Sequence, residues 1–415
     1  MKGRGLVISA PSSGAGKTTV TLGLLRALSA VTGVKPAKSG PDYIDPAFHE
    51  AACGLPSVNL DAWAMTAEQI KTYAATKDLL VVEGAMGLFD GAPPEGAGST
   101  AEVAKVLGLP VILVVDARAM SQSVGALVRG FRDHDPDVRI AGVILNRVGS
   151  ARHEAMLRRA VAALGVPVLG AIPRSEEITL PSRHLGLVQA REHPDLENVL
   201  ERMAALVRAH VDLTALMHLA ATFEASGGKR RKFNHKIAVA DDAAFSFVYA
   251  HLRHHEWRAS TVLPFSPLAN EPVPEADLVV LPGGYPELHA GQLAGAHIFM
   301  QSLREASQSI DISGECGGYM TLGEALVDAG GHSHKMAGLL PLVTSFAARK
   351  LHLGYRRLKS RSGPQRWHGH EFHYATTLRA DGAPAFDAWD AEGTALAPMG
   401  LTEGRVSGSF AHIIA

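Results

Sequence analysis

The chain has 415 residues, 47% of them hydrophobic, and its 40 basic and 41 acidic residues nearly balance. This length ordinarily gives two or three domains, and the balanced charge gives no support to nucleic-acid or anionic-membrane binding. Two cysteines cannot form a disulfide framework, no apolar stretch is long enough to cross a bilayer, and the N-terminus shows no signal pattern. These features are typical of a cytoplasmic α/β enzyme.

Short runs of β-branched residues alternate with helical patterns through the first half of the chain. Four apolar runs predict buried parallel strands: GLVISA (5–10), LLVVEGA (79–85), PVILVVDA (110–117) and IAGVILNRV (140–148). Two segments between them have helical spacing: TTVTLGLLRALSAV (18–31) and SVGALVRGFRDH (123–134). The alternation predicts a doubly wound α/β domain over residues 1–210.

The pattern changes after about residue 210, and we expect a linker over residues 211–235. The segment ASGGKRRKFNHK (225–236) is rich in Gly, Lys and Arg without an apolar period, which favours an exposed linker over an anion-binding tract. Three strands are predicted beyond it: KIAVADD (236–242), ADLVVLPGG (276–284) and SIDISGE (309–315). A second α/β domain is therefore expected over residues 236–415.

A candidate phosphate-binding loop, SAPSSGAGKTTV (9–20), follows the first strand and opens a helix. Glycines in such a loop let backbone N–H groups turn toward phosphate oxygens, and the new helix directs its positive end at them. Lys17 is expected to reach the β- and γ-phosphates, and the Thr18 hydroxyl to hold Mg²⁺. Pro11 stands where the usual pattern begins with Gly, but the strand–loop–helix context supports the prediction.

Carboxylates elsewhere in the first half are candidate Mg²⁺ ligands, because Mg²⁺ prefers hard oxygen donors. They lie in two segments: Asp42 and Asp45 in KSGPDYIDP (38–46), and Glu83 and Asp90 in VVEGAMGLFDG (81–91). Glu83 directly follows an apolar strand, where open α/β sheets place their sites, so a functional role is favoured over a turn. Lys38 fits either an anionic substrate or a plain surface position.

Cys316 lies in GECGG (314–318), between a predicted strand and a predicted helix. A sharp strand-to-helix turn exposes its central side chain, and a helix N-terminus is expected to lower the pKa of the thiol. Gly283 and Gly284, in LPGGYPE, and Gly317 are candidates for presenting backbone N–H groups to an oxyanion. The general base is expected from HGHEFHY (368–374) or from His412.

Two further features have a structural interpretation. Cys53 is expected to be a small buried hydrophobe, as free cysteines usually are. The histidines of HGHEFHY have a spacing that suggests metal ligands, but strand alternation would put only His368 and His370 on one face. A structural or substrate-contact role is therefore favoured over a metal site.

Several motifs together resemble one family: APSSGAGKTT, KSGPDYIDP, VVEGAMGLFDG, LPSRHLGL, LPGGYPE, GECGGYM and GHEFHY. In this order they resemble the cobyrinate/hydrogenobyrinate a,c-diamide synthases of cobalamin biosynthesis over essentially the whole chain. The first half is similar to dethiobiotin synthetase-like P-loop enzymes, and the second to a class I glutamine amidotransferase of the cobyric acid synthase type. The resemblance implies two doubly wound α/β domains, the first with a P-loop NTPase-like, mainly parallel sheet and the second with a class I glutaminase-like sheet.

The resemblance implies that Cys316 attacks the carboxamide of glutamine and that His412 is its base. Most class I glutaminases carry a glutamate two positions after this histidine, and Ile414 stands there instead. The cobyric acid synthase branch shares this departure, so a Cys–His dyad is expected. Glu371 is a weak candidate for orienting His412, which the sequence otherwise leaves unexplained.

In the first domain, the resemblance implies that ATP phosphorylates a corrinoid carboxylate, which ammonia then converts to an amide. The implied roles fall into three groups: ATP binding by Ser13, Gly14, Ala15, Gly16, Lys17, Thr18, Thr19 and, at the adenine, Asn146; substrate binding by Lys38, Asp42, Tyr43 and Asp90; and Mg²⁺ binding by Thr18, Glu83 and one of Asp42 or Asp45, with Asp45 preferred. Domain 1–210 would bind ATP and corrinoid, and domain 236–415 would be the glutamine amidotransferase.

The substrate is expected to be hydrogenobyrinic acid or cobyrinic acid, with a slight preference for the cobalt-free compound of the aerobic route. Cobyric acid synthase and a nickel-sirohydrochlorin diamide synthase are close alternatives, which GPDYIDP and the chain length disfavour. A partitioning-type ATPase switch would carry no glutaminase domain. No nucleic acid or membrane partner is expected, and a homodimer is the base-rate expectation.

Overall fold

The computed structural model describes residues 2–175, 182–183, 186–226 and 235–415. The chain divides into two units, Met1–Lys229 and Arg230–Ala415. The motif LPSRHLGL (180–187) lies entirely outside the residues whose side chains are described, as does the basic stretch at 227–234. Within the described residues, no helix combines the length and apolar character that crossing a membrane requires.

The first unit alternates strands and helices. Its elements are β1 (Lys2–Ser9), α1 (Lys17–Ser29), β2 (Val34–Ser39), α2 (Asp45–Cys53), β3 (Val58–Leu60), α3 (Ala67–Tyr73), β4 (Leu79–Glu83), α4 (Thr100–Leu107), β5 (Val111–Asp116), α5 (Ser123–His134), β6 (Ile140–Val148), α6 (Ala151–Ala162), β7 (Val168–Pro173), β8 (Ser182–Arg183), β9 (Gly186–Leu187), α7 (Leu196–His210), α8 (Leu213–Leu219) and β10 (Ala221–Glu224).

One large sheet organises this unit, with strand order β3-β2-β4-β1-β5-β6-β7 and all of these pairs parallel. The four predicted strands and both predicted helices are confirmed. The carboxyl ends of β1, β2, β4 and β6 lie at one edge of the sheet, because parallel strands point the same way. That edge carries the phosphate-binding loop after β1, Glu83 at the end of β4 and Asn146 near the end of β6.

The expected linker over residues 211–235 is wrong at its N-terminal end. Helix α8 follows α7 directly, and β10 pairs antiparallel with the first half of β1, with Lys2 opposite Glu224 and Gly5 opposite Ala221. The side chain of Arg4 adds a hydrogen bond to the Met217 carbonyl oxygen at 2.6 Å. This segment therefore belongs to the first unit, since its backbone completes that unit's sheet.

The second unit is richer in strands than its sequence indicated. Its elements are β11 (Lys236–Ala240), β12 (Thr261–Phe265), β13 (Leu278–Leu281), α9 (Ala290–Gly295), α10 (His297–Ala306), β14 (Asp311–Glu315), α11 (Gly317–Leu322), β15 (Ala325–Val327), β16 (Ser333–Lys335), β17 (Leu342–Ser345), β18 (His352–Ser360), β19 (Arg366–His373), β20 (Thr376–Ala380), β21 (Phe386–Trp389), β22 (Leu401–Glu403), β23 (Val406–Ser409) and β24 (His412–Ile413).

The central sheet of this unit has the order β12-β11-β13-β14-β23-β22, parallel except for the last pair. The three predicted strands correspond to β11, β13 and β14 and are confirmed. Two four-stranded sheets accompany it, β16-β15-β17-β20 and β21-β18-β19-β24. The expected fold class, two α/β domains built on mainly parallel sheets, is confirmed.

Candidate functional sites

The loop between β1 and α1 has the backbone shape of a phosphate cradle. Gly14 and Gly16 adopt φ of 79° and 84°, in the left-handed region that favours glycine. A Cβ on Gly16 would lie 2.2 Å from the side-chain nitrogen of Asn146. Both the positive φ and this close approach therefore favour glycine at position 16. Ser13 is exposed on this loop, and Lys17, Thr18 and Thr19 form the first turn of α1. The loop and the helix start together form a candidate anion site.

Two consecutive residues near the end of β6 hold this loop. The Asn146 amide donates to the Ala15 carbonyl at 2.9 Å, and the Arg147 guanidinium donates to the Gly14 carbonyl at 2.8 Å. Arg147 has a positive φ of 60° and is also paired with Asp116 at 2.6 Å. Asn146 is thus engaged with the loop backbone, while its expected contact with adenine stays a prediction. Neither Arg147 nor Asp116 was predicted from the sequence to belong to this site.

Lys38 lies within a group of carboxylates beside the loop. Its ammonium contacts Asp45 at 2.5 Å, Glu83 at 3.1 Å and Asp42 at 3.5 Å. Burial would lower the pKa of Lys38, but the surrounding carboxylates raise it well above its usual value. Lys38 is therefore a buried cation within an anionic pocket and not a surface lysine.

Glu83 is fully buried and is held from three sides. Its Oε1 accepts from the Thr18 hydroxyl at 2.7 Å and from Lys38, and its Oε2 pairs with His49 Nε2 at 2.6 Å. Burial would raise the pKa of Glu83, but Lys38 and His49 lower it below its usual range. Glu83 is thus ionised, and the imidazole must donate to it. His49 Nδ1 lies 2.9 Å from the Ser57 hydroxyl, which fixes the ring from its other side.

Lys17, Asp45 and Asp42, which lie near Lys38 and Glu83, differ in their charge and in their contacts. Burial and the nearby Lys38 lower the pKa of Lys17, while burial and Asp42 raise the pKa of Asp45 to about 6. Asp42 accepts from the backbone N–H groups of Ile44 and Asp45, which stabilises the start of α2. It is more exposed than Asp45, so the two carboxylates differ in their local environments.

Two predicted substrate residues lie on loops at this edge of the sheet. Asp90, in the loop after β4, accepts from the Gly87 backbone N–H at 2.8 Å and so supports a turn. Tyr43 is half-buried in the loop between β2 and α2. These local contacts do not show whether Asp90 or Tyr43 binds substrate, and both roles stay predictions.

In the second unit, Cys316 occupies the sharp turn between β14 and α11. It has φ of 46° and ψ of −102°, which a residue with a Cβ adopts only when the surrounding structure imposes it. The Cys316 N–H donates to the Ser409 carbonyl at 2.8 Å, and its carbonyl accepts from Met320 at 3.0 Å. These bonds fix the turn that the GECGG pattern predicts.

Cys316 and His412 both lie close to Gly283. A Cβ on Gly283 would lie 2.2 Å from His412 Cε1, 2.8 Å from His412 Nε2 and 3.2 Å from Cys316 Cβ. The Nε2 side of the imidazole therefore faces the same space as the cysteine. A Cβ on Gly317 would lie 3.1 Å from the Gly284 backbone nitrogen, so the other two predicted oxyanion glycines are also neighbours.

The expectation of a low pKa for the Cys316 thiol is wrong for this structure. Burial raises its pKa above the usual range, and the negative charge of Glu287 adds to this. Helix α11 has only six residues, and its N-terminus does not offset the loss of water around the sulfur. Burial, with His370 and His373 nearby, also lowers the pKa of His412 to about 3. The pair therefore rests as neutral thiol and neutral imidazole.

Two carboxylates near His412 differ in what they contact. Glu371 accepts from Arg356 at 2.8 Å and pairs with His373 at 2.8 Å, so it is not the group that orients His412. Glu315, the residue before Cys316, lies 3.6 Å from His412 Nδ1 and accepts from the Ile413 backbone N–H at 3.1 Å. Glu315 was not predicted as a site residue, although it stands within the GECGG motif.

His352, Glu371 and His373 bring three metal-capable side chains together, with ligand atoms within 4.8 Å of one another. Arg356 lies against the same carboxylate, with its NH2 2.7 Å from Glu371 Oε2. A guanidinium at this distance already compensates the carboxylate charge, which disfavours a divalent cation. The arrangement is therefore better described as a buried ion-pair network, with His373 also stacked on Phe410 at 3.9 Å.

Comparison with known proteins defines the class to which these two sites belong. Residues 6–188 match the CobQ/CobB/MinD/ParA nucleotide binding domain, and residues 236–415 match the CobB/CobQ-like glutamine amidotransferase domain. The chain therefore combines a nucleotide-binding domain that carries the phosphate-binding loop with a glutamine amidotransferase domain that carries Cys316 and His412.

Relatives identify the family more closely. Hydrogenobyrinate a,c-diamide synthase of Rhodobacter capsulatus is 52% identical over 430 residues, covering 99% of each chain. The proteins of the same name from Brucella abortus and Mesorhizobium japonicum are 52% and 48% identical, and the matches cover at least 98% of each chain. This chain belongs to the hydrogenobyrinate a,c-diamide synthase family, as its sequence motifs indicated.

Proposed function

We propose that this protein converts the a and c acetate carboxylates of hydrogenobyrinic acid into amides, using ATP and glutamine. The observation that carries the proposal is the identity of about half of all residues, over nearly the full length, with three proteins named for this reaction. Their names favour the cobalt-free substrate over cobyrinic acid. The reaction requires activation of a carboxylate and release of ammonia from glutamine, and the two sites are suited to one step each.

The first site is suited to activating a carboxylate. A corrinoid carboxylate oxygen attacks the γ-phosphorus of ATP, ADP leaves, and an acyl phosphate forms. Ammonia then attacks the carbonyl carbon and inorganic phosphate leaves, which gives the amide. We expect the loop N–H groups and Lys17 to hold the phosphates, and Lys38 to neutralise charge on phosphate or on the substrate carboxylate. Positioning and charge neutralisation account for most of the catalysis in phosphoryl transfer.

The oxygen donors beside the loop fit Mg²⁺. Thr18, Asp45 and Glu83 offer a hydroxyl and two carboxylates in one place: Glu83 accepts from Thr18, and both carboxylates contact Lys38, whose single positive charge compensates only one of them. Hard oxygen ligands of this kind suit Mg²⁺. Asp45 is preferred over Asp42, because Asp42 accepts backbone N–H groups at the start of α2. When bound, Mg²⁺ would supply neutralisation of the phosphate charge.

The second site is suited to releasing ammonia from glutamine. His412 takes the proton of the Cys316 thiol, and the sulfur attacks the glutamine carboxamide carbon. Backbone N–H groups near Gly283, Gly284 and Gly317 stabilise the oxyanion, and the proton on His412 goes to the leaving ammonia. Water then hydrolyses the glutamyl thioester to glutamate. Because thiol and imidazole rest neutral, we expect thiolate to form only as the carboxamide reacts.

The expected binding partner is a corrinoid polycarboxylate. We further propose that the protein is cytoplasmic and forms a homodimer. Both cysteines are free thiols, which suits a reducing compartment. The dimer rests on general frequency alone, and sedimentation of the purified chain tests it.

Competing substrates test the function. The purified protein is incubated with ATP, Mg²⁺, glutamine and either hydrogenobyrinic or cobyrinic acid, and products are analysed by mass. We expect a two-amide product, formed faster from hydrogenobyrinic acid. Faster amidation of cobyrinic acid would overturn the choice of substrate. Amidation of neither compound, with glutamine still hydrolysed, would overturn the proposed acceptor.

A further inference from the structure

A glutaminase histidine needs a partner that fixes its ring, and the expected position cannot supply one here. Ile414 stands two residues after His412, is 1% exposed and has an apolar side chain. Its backbone carbonyl pairs with His251 Nε2 at 2.9 Å, so this residue is engaged in holding the chain end in place. The group that orients His412 must therefore come from another element.

Glu315 reaches His412 from the strand that carries the nucleophile. It is the last residue of β14, and Cys316 follows it directly. Its Oε1 accepts from the Ile413 backbone N–H at 3.1 Å, and its Oε2 lies 3.6 Å from His412 Nδ1. One carboxylate thus contacts both the imidazole and the backbone beside it. The backbone contact matters because β24 is two residues long and pairs only with β19 among the described strands.

The two ring nitrogens of His412 face different groups. Nε2 lies over Gly283 in the space that Cys316 Cβ also borders, while Nδ1 is the nitrogen near Glu315. This is the order that a proton relay requires, with the acceptor nitrogen toward the sulfur and the other toward a carboxylate. A buried imidazole that takes a proton from the thiol gains a positive charge, and a carboxylate at 3.6 Å stabilises that charge.

We propose that Glu315 is the positioning residue for His412: it fixes the imidazole toward Cys316 and supplies the negative charge when His412 is protonated. This inference rests on the proposed glutaminase function. Two consecutive residues, Glu315 at the end of β14 and Cys316 in the turn after it, would then provide the carboxylate and the nucleophile of the triad. A carboxylate two positions beyond the histidine is not needed in this arrangement.

Burial raises the pKa of Glu315 to about 7, so its ionisation near neutral pH depends on the charge of its neighbour His412. An imidazolium on His412 favours the ionised carboxylate, and the carboxylate in turn favours the imidazolium. Other titratable groups near this pair are Cys316, which follows Glu315, His370 and His373, which act on His412, and Glu287 and Glu371, which act on Cys316. The pH dependence of glutaminase activity is therefore compared between variant and wild type, because these other groups contribute equally to both profiles.

Replacement of Glu315→Gln tests the proposal, because glutamine keeps an oxygen for the Ile413 N–H and removes the charge. We expect the glutaminase kcat to fall about 10–100-fold, a part of what general base catalysis contributes, with KM for glutamine nearly unchanged. The acidic limb of its pH profile should move to lower pH, because a positive charge on His412 is no longer stabilised. Ammonium-supported amidation should stay at the wild-type level.

Glu271→Gln is the matched control. Glu271 also accepts a backbone N–H, that of Ser266 at 2.7 Å, in the same unit. It should leave both activities and the pH profile unchanged. An unaltered kcat and pH profile in Glu315→Gln would overturn the proposal. Loss of ammonium-supported amidation together with glutaminase activity would also overturn it in favour of a purely structural role. A wild-type protein that does not hydrolyse glutamine would instead overturn the proposed function.

Discussion

The imidazole of His49 lies between Ser57 and Glu83, with Nε2 2.6 Å from a Glu83 carboxylate oxygen and Nδ1 2.9 Å from the Ser57 hydroxyl. All three side chains are buried. The contact fixes the oxygen of Glu83 that does not face Thr18. Groups of this kind determine how a metal-binding carboxylate is presented, even though they touch neither metal nor substrate.

We predict that His49→Gln weakens the first site without affecting the second. Glu83 would lose a fixed donor, so the Mg²⁺ concentration for half-maximal amidation should rise about 10–100-fold. Titration of Mg²⁺ at saturating ATP, with amidation as the readout, measures this. The exposed His218→Gln is the control. An unchanged Mg²⁺ dependence in His49→Gln would contradict a role of His49 in presenting Glu83.

The Thr18 hydroxyl is predicted to be needed for metal binding and not for the fold. Thr18→Val removes the donor to Glu83 and should reduce amidation about 10–100-fold at limiting Mg²⁺, while glutamine hydrolysis continues. Thr21→Val is a matched control on the same helix, because the buried Thr21 hydroxyl has no hydrogen-bond partner in the described part of the chain. Equal losses in both variants would indicate general damage to α1.

Gly283→Ala is predicted to disable glutamine hydrolysis by displacing His412. The new Cβ would lie 2.2 Å from His412 Cε1, which no imidazole tolerates, so the ring must move. We expect a loss of about 10²–10³-fold in glutaminase activity, comparable to removal of one oxyanion donor. Amidation from free ammonium should persist.

Gly295→Ala is the matched control for this substitution. Gly295 is in α9 of the same unit, and a Cβ there would meet nothing within 4 Å. It should therefore leave glutamine hydrolysis intact. Normal hydrolysis by Gly283→Ala would contradict the close approach of His412 and Cys316 at this glycine.

The Cys316 thiol is predicted to react slowly with iodoacetamide at neutral pH when glutamine is absent. Its raised pKa keeps it protonated, and only the thiolate is nucleophilic. The alkylation rate should therefore keep rising as the pH increases beyond about 8.5, where an ordinary thiol begins to level off. A Cys53→Ala background isolates the signal, since Cys53 is the other cysteine. A plateau at neutral pH would indicate a preformed thiolate–imidazolium pair.

The elements around both sites could be predicted from sequence because their signals are local. The apolar runs that became β1, β4, β5 and β6 are buried on both faces, so they read as continuous hydrophobic segments. The glycines of the phosphate-binding loop and of GECGG mark tight turns at fixed offsets from these strands. The pattern therefore located Lys17, Thr18, Glu83 and Cys316.

Other features depend on contacts between distant residues, which local patterns do not reveal. Val34–Ser39 was missed as a strand because it contains Pro36 and two lysines, and Lys38 is buried only because carboxylates from two segments surround it. Glu315 could not be distinguished from other acidic residues in the sequence, because its contacts are with Ile413 and His412, which lie far away along the chain. Likewise, the low pKa expected for Cys316 followed from its helix start, whereas the observed direction follows from burial by the whole domain.

The most direct test of the account follows the amide nitrogen of glutamine into the corrinoid. Hydrogenobyrinic acid, ATP and Mg²⁺ are supplied with glutamine labelled with ¹⁵N at the side-chain amide, and the product is analysed by mass. We expect the wild-type protein to give a diamide with label in both new amides. With Cys316→Ala, we expect no product from glutamine but an a,c-diamide from free ammonium. A diamide without label, or no rescue of Cys316→Ala by ammonium, would contradict the division of the reaction between the two sites.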